Sequence, residues 1–115
     1  MDGFWTITVE NIAMKQGIGV VLLKDGKILG GDASFFYEGS YQTGSNNSLK
    51  GTIITMHFAG DTMSAFGNVQ EDGSFKLQIE GHRLTHDHIQ ASLIPEHAPD
   101  GQHLTVHLRR KADDP

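Results

Sequence analysis

The 115-residue chain predicts an all-β fold, an eight-stranded antiparallel up-and-down β-barrel, and three observations carry that prediction. No stretch of three turns places apolar residues at i, i+3, i+4 and i+7, the pattern of an amphipathic helix. Eight short runs rich in Val, Ile, Phe and Thr recur instead, each bounded by turn residues. Fourteen glycines supply turns and points of sharp coiling, which a small closed sheet needs. Sequential strands with short connections pair antiparallel. Eight of them close around packed side chains or around one small ligand. A two-sheet sandwich satisfies the same periodicity.

Phe4–Glu10 alternates, with Trp5, Ile7 and Val9 on one face and Phe4, Thr6 and Thr8 on the other. Gly17–Lys24 is apolar on both faces, and Asp25-Gly26 separates it from Lys27–Gly30. An Asp-Gly pair between two such runs is the strongest local signal for a two-residue hairpin. Gly30-Gly31-Asp32 punctuates before Ser34–Thr43, and Gly44-Ser45-Asn46-Asn47 is a polar turn cluster before Leu49–Phe58. In 59–72, Asp61 is placed to cap a brief helical turn containing Met63 and Phe66. Phe75–His82, Asp87–Ile94 and His103–Arg110 complete the set, with the turn-rich loop Pro95–Gly101 between the last two. Residues 1–110 read as one domain and 111–115 as a loose polar tail.

Composition narrows the function. Without cysteine there is no disulfide framework, thiolate metal site or cysteine nucleophile. Nine Lys+Arg against 14 Asp+Glu, a formal charge of −5, provide no basic footprint for nucleic acid or an anionic membrane surface. No apolar run approaches the ~20 residues of a membrane-spanning helix, and Met-Asp-Gly-Phe-Trp-Thr is unlike a secretion signal, so the expected location is cytoplasmic.

Catalytic and metal-binding patterns are weak. There is no G-x-S-x-G elbow, Gly17-Ile18-Gly19 lacks the third glycine and helix of a phosphate loop, and the paired carboxylates sit in a turn and the tail. Six of seven histidines fall in the last third: His82, His86, His88, His97, His103 and His107. On strands, His86 and His88 share a face, as do His103 and His107. They alternate with the apolar set, without a metal-ligand signature. The expectation is a solvated band titrating near pH 6–7 and tuning association, with no cofactor, no metal and no enzymatic activity.

Two features point to binding. The second and fourth runs carry more apolar residues than one inner face can take, so Val21, Leu23, Phe35, Tyr37 and Tyr41 are expected to form an interaction surface, first of all for a homodimer. Trp5, Ile7, Ile54, Met56, Phe58, Leu77 and Ile79 are the inward set expected to line a cavity for a small apolar ligand. If the first and last strands are neighbours, Arg109 or Arg110 lies over the Trp5 indole as a cation–π lid.

An ordered series gives the chain a family likeness: Asp2-Gly3-Phe4-Trp5-Thr6-Ile7, Gly17-Ile18-Gly19-Val20-Val21, Lys24-Asp25-Gly26-Lys27-Ile28, Gly30-Gly31-Asp32 and Tyr37-Glu38-Gly39. Over residues 2 to 58 it resembles the GrlR-like family, negative regulators of type III secretion gene expression in Gram-negative bacteria. Gly3-Phe4-Trp5 also resembles the first-strand signature of lipocalins. The resemblance implies a lipocalin-like barrel, homodimerisation, and action on a transcriptional-activator protein rather than catalysis. In the founding member an acidic run after the Tyr-x-Gly strand contacts that activator. Thr43-Gly44-Ser45-Asn46 stands there in this chain, so no activator-binding residue carries over.

Overall fold

The computed structural model describes residues 1–10, 19–61, 63–64, 67–68, 73–96 and 103–113. The barrel strands are β1 (Gly3–Val9), β2 (Gly19–Lys24), β3 (Lys27–Gly31), β4 (Phe35–Thr43), β5 (Ser48–His57), β8 (Ser74–Thr85), β9 (His88–Pro95) and β10 (Leu104–Ala112). They close into one antiparallel barrel in the order β1-β10-β9-β8-β5-β4-β3-β2. The sheet is therefore the predicted meander, and its closure through β1 and β10 excludes the sandwich. Two strands extend two or more residues beyond their predicted ends: β8 runs to Thr85 past a bulge at Arg83/Thr85, and β10 runs to Ala112, two residues into the predicted tail.

Asp25 and Gly26 have φ of 51° and 78°, as a two-residue turn matching the twist of its strands requires. The connections of β4 to β5 and β8 to β9 are nearly as short, with Ser45–Asn47 forming one 3₁₀ turn. The segment expected to hold a helical turn behaves differently. Met63–Ser64 (β6) pairs with Gly67–Asn68 (β7) as a small separate ladder, and Phe66 lies outside the described residues. Gly60 and Gly67 disfavour a helix in this segment, because glycine destabilises helices.

The interior is a continuous apolar cluster of Trp5, Ile7, Val21, Leu23, Ile28, Tyr41, Leu49, Ile53, Leu77, Ile79, Ile89, Ala91, Leu93, Val106 and Leu108. Curvature comes from positions where a side chain has no room. A Cβ on Gly81, in the middle of the longest strand, would stand 2.6 Å from the Ala91 Cα and Cβ. Gly81→Val is expected to lower stability by about 2–3 kcal/mol through overpacking against the β9 backbone, read as the shift in urea midpoint. An unchanged midpoint would mean that the sheet does not coil there.

Candidate functional site

The strand alternation divides the candidate residues into inner and outer sets, and the division differs from the sequence reading. Trp5, Ile7, Leu77 and Ile79 are buried inside the barrel. Ile54 and Phe58, 39 % and 49 % exposed, stand outside with half-buried Met56. On β5 the inner residues are Leu49, Ile53, Thr55 and His57. The surface set corrects in the opposite sense: Val21, Leu23, Phe35 and Tyr41 are buried and Tyr37 is half-buried. Their neighbours Val20, Leu29 and Phe36 face outward. The cause is the same in each case, because these strands are apolar on both faces and a one-residue change of parity exchanges the faces.

The outward apolar residues form a belt around one half of the closed barrel. Register places Phe4, Leu22, Leu29, Glu38, Ile54 and Lys76 in a row across β1, β2, β3, β4, β5 and β8. The next row reads Thr6, Val20, Gly31, Phe36, Met56 and Ser74. Phe58 extends this row, with its ring centroid 6.1 Å from that of Phe36. Phe4, Val20, Leu29, Phe36, Ile54 and Phe58 are all substantially exposed. Exposed apolar residues gathered in this way, rather than scattered singly, are the kind of surface on which interaction sites are built.

One end of the barrel is sealed. Arg110 Cζ lies 4.4 Å from the Trp5 ring centroid, so of the two arginines Arg110 is the lid. Its Nη1 donates to the Asp2 carbonyl and its Nε to the His86 carbonyl at 3.2 Å, with Asp87 Oδ1 at 3.4 Å. Trp5 Nε1 donates to the Met1 carbonyl at 3.0 Å. Asp2 Oδ1 accepts the Asp25 backbone N–H and the Tyr41 hydroxyl, both at 3.3 Å. Burial first, then the Asp2 charge and hydrogen bond, raises the Tyr41 pKa and keeps the phenol a donor.

The other end carries the interior polar groups. Asp32 Oδ1 accepts the N–H groups of Ser34 and Phe35 at 2.9 and 2.8 Å, while Oδ2 accepts the Tyr37 hydroxyl at 2.6 Å. Burial, followed by the Asp32 hydrogen bond and charge, pushes the Tyr37 pKa far up. His57 is buried beside Phe35, ring centroids 5.5 Å apart, with Nε2 3.1 Å from the Gly60 carbonyl. Thr55 is 4 % exposed, and its Oγ1 is the buried side-chain atom without a hydrogen-bond partner among the described residues. A buried unpaired hydroxyl costs about 1–3 kcal/mol. Thr55→Val, which keeps the shape, is therefore expected to raise stability by about 1 kcal/mol in a thermal melt; a lower Tm would show that the hydroxyl is already satisfied.

The histidines disperse. His86 sits in the β8–β9 turn, so strand parity does not align it with His88, and His103 precedes β10. His82 is exposed and His97 lies outside the described residues. His88 and His107 do meet, with His88 Nε2 2.8 Å from His107 Nδ1. Among the described residues no group of three His, Asp or Glu side chains is poised to hold a metal ion, and no helix is long and apolar enough to cross a membrane. Thr43-Gly44-Ser45-Asn46 forms the exposed end of β4 and its connection to β5. No family model matches the sequence, and no curated protein matches it significantly.

Proposed function

We propose that this chain is a cytoplasmic, non-enzymatic regulatory protein of the GrlR type, a homodimer that restrains type III secretion gene expression by binding a protein activator. The resemblance over β1 to β5 supports the regulatory class. The observation that carries dimeric binding is the outer apolar face of those five strands. Its six exposed large residues present on the order of 500 Å² of apolar surface, with a whole phenylalanine near 200 Å². A standard interface takes about 800 Å² from each partner, and homodimers make about 65 % of it apolar. The belt as a whole has that area, and a second copy docked on one side of the closed barrel covers its β4–β5 part, with Phe36, Ile54 and Phe58.

Its charges also suit self-association. Glu38 and Lys76 flank Ile54 in one row. A two-fold axis running along β5 at Ile54 sets Glu38 of each copy against Lys76 of the other, as an isologous contact requires. Native mass spectrometry and sedimentation of the purified protein test this reading. The expected species is a dimer at micromolar concentration, and a monomer throughout that range overturns the homodimer. For the regulatory role, expression of the chain in its host is expected to lower a secretion-gene reporter. A reporter that does not respond overturns that role.

A second reading, a carrier or sensor of a small apolar molecule, is favoured by the interior hydroxyl of Thr55, which has no hydrogen-bond partner among the described residues. An apolar pocket with one convergent polar group is how such ligands are oriented. Protein isolated from its own host is then expected to carry a small-molecule mass that Thr55→Val loses. Identical ligand-free spectra for both proteins would end this reading.

A further inference from the structure

Glu10, His107 and His88 stand in line across the outer surface of β1, β10 and β9, the strands at the seam where the barrel closes. His107 Nε2 is 3.0 Å from Glu10 Oε1, and His107 Nδ1 is 2.8 Å from His88 Nε2. The imidazole centroids are 5.1 Å apart with planes inclined by 36°, so the rings meet through these two nitrogens rather than by stacking. His107 is largely covered, its side chain 18 % exposed.

This geometry dictates where the protons lie. An ionised carboxylate only accepts, so His107 Nε2 carries a hydrogen. Neutral His107 therefore offers Nδ1 as a lone pair, His88 Nε2 donates to it, and His88 Nδ1 is left as the outer lone pair. The charge of Glu10 thus sets the tautomer of a histidine two strands away. A first added proton keeps every bond. It enters at His88 Nδ1, the Nε2 proton of His88 crosses to His107 Nδ1, and His107 as imidazolium donates to Glu10 and to His88 at once. A second proton leaves no lone pair at the 2.8 Å contact, where two N–H groups of two cations then oppose each other.

We propose that Glu10, His107 and His88 form a proton-operated latch across the closing seam of the barrel, tightened by one proton and opened by a second. The surrounding charges favour two separate steps. Arg109 is the register partner of His88, and Gln90 that of His107. On β1, Thr8 donates its hydroxyl to the His107 carbonyl at 3.4 Å, and Thr6 is partnered with Arg109. On β8, Thr85 is the register partner of His88 and Arg83 that of Ile89. His86 and Asp87 occupy the adjoining turn, Asp87 already engaged by Arg110. Desolvation, then the charges of Arg109 and His107, lowers the His88 pKa and resists the second proton. A lowered imidazole pKa in the folded state makes stability present above the ordinary value, near 6.5, and lost as pH falls through the folded value. The latch therefore opens on the acid side. The contact to Glu10 lies where β1 leaves the sheet and survives both protons, whereas the contact that the second proton breaks lies between β10 and β9.

Side-chain ¹⁵N NMR titration of the wild type, Glu10→Gln, His88→Gln and His107→Gln tests the latch. In the wild type each of the two histidines is expected to titrate in two steps, and glutamine at either position is expected to reduce the other to one. Glu10→Gln, which still accepts the His107 N–H but carries no charge, should weaken binding of the first proton at least about threefold. Independent single-step titrations in the wild type, each unmoved by glutamine at the other position, overturn the proposal.

Discussion

Trp5→Ala is expected to lower the stability of the barrel by about 3–5 kcal/mol, the range for emptying a buried tryptophan site. Trp5 is 1 % exposed and lies between β2 and β10 at the sealed end. Its loss removes the apolar contact with Val21 in the neighbouring strand, the platform under Arg110, and the indole N–H that anchors the Met1 carbonyl. For a chain of this size a loss of 1 kcal/mol moves Tm by roughly 4 °C, so the melt should shift by about 12–20 °C. Arg110→Gln separates the two halves of the lid. It keeps the tryptophan and deletes the cation, worth about 0.5–2 kcal/mol by the cation–π contact alone. The paired melts check the assignment: Trp5→Ala must cost clearly more than Arg110→Gln. Equal, small shifts would mean that this end is not a packed part of the core.

Ile54→Glu is expected to abolish self-association while leaving the monomer folded. Ile54 is 39 % exposed at the centre of the proposed contact, flanked by Glu38 and Lys76. In a two-fold interface one substitution places two carboxylates in the contact, where removal from water without a partner costs several kilocalories per mole. A dissociation constant at least 100-fold weaker, about 3 kcal/mol, is the expected sedimentation result. The monomer should lose little, since exchanging an exposed residue on a solvated face usually changes stability by less than about 0.5 kcal/mol. Leu84→Glu is the control, because Leu84 is 54 % exposed on β8 near the bulge, away from the proposed face. Loss of the dimer in both variants, or in neither, places the interface elsewhere.

Both predictions turn on which side of a strand faces inward, and that is where the sequence was least legible. On β1 the inner residues Trp5, Ile7 and Val9 oppose two threonines, and the alternation identifies the inside directly. On β5 the outer set Ile54, Met56 and Phe58 is more apolar than the inner run Ile53, Thr55 and His57, so hydropathy alone selects the wrong face. Thr55 and His57 are affordable inside only because neighbouring strands surround them, with Tyr37 and Phe75 the register partners of Thr55 and Phe35 that of His57. On β2 the inner pair Val21 and Leu23 and the outer pair Val20 and Leu22 are chemically equivalent, so nothing local distinguishes them. The Glu10–His107–His88 chain was illegible for a further reason. It joins residues 97 positions apart, and only the pairing of the first strand with the last brings them together.

Strand existence, the Asp25-Gly26 hairpin and the meander order belong to the sequence by itself. They depend on side-chain alternation and turn chemistry, which act over a few residues and leave a local trace. The tertiary structure decided the inner and outer faces, the choice of Arg110 over Arg109 as the lid, and the line of titratable groups across the seam. Each depends on register around a closed sheet, where shifting one strand by one residue exchanges its two faces. The mutual fit of all eight strands and their glycine-coiled corners sets that register, and no single segment of the chain contains it.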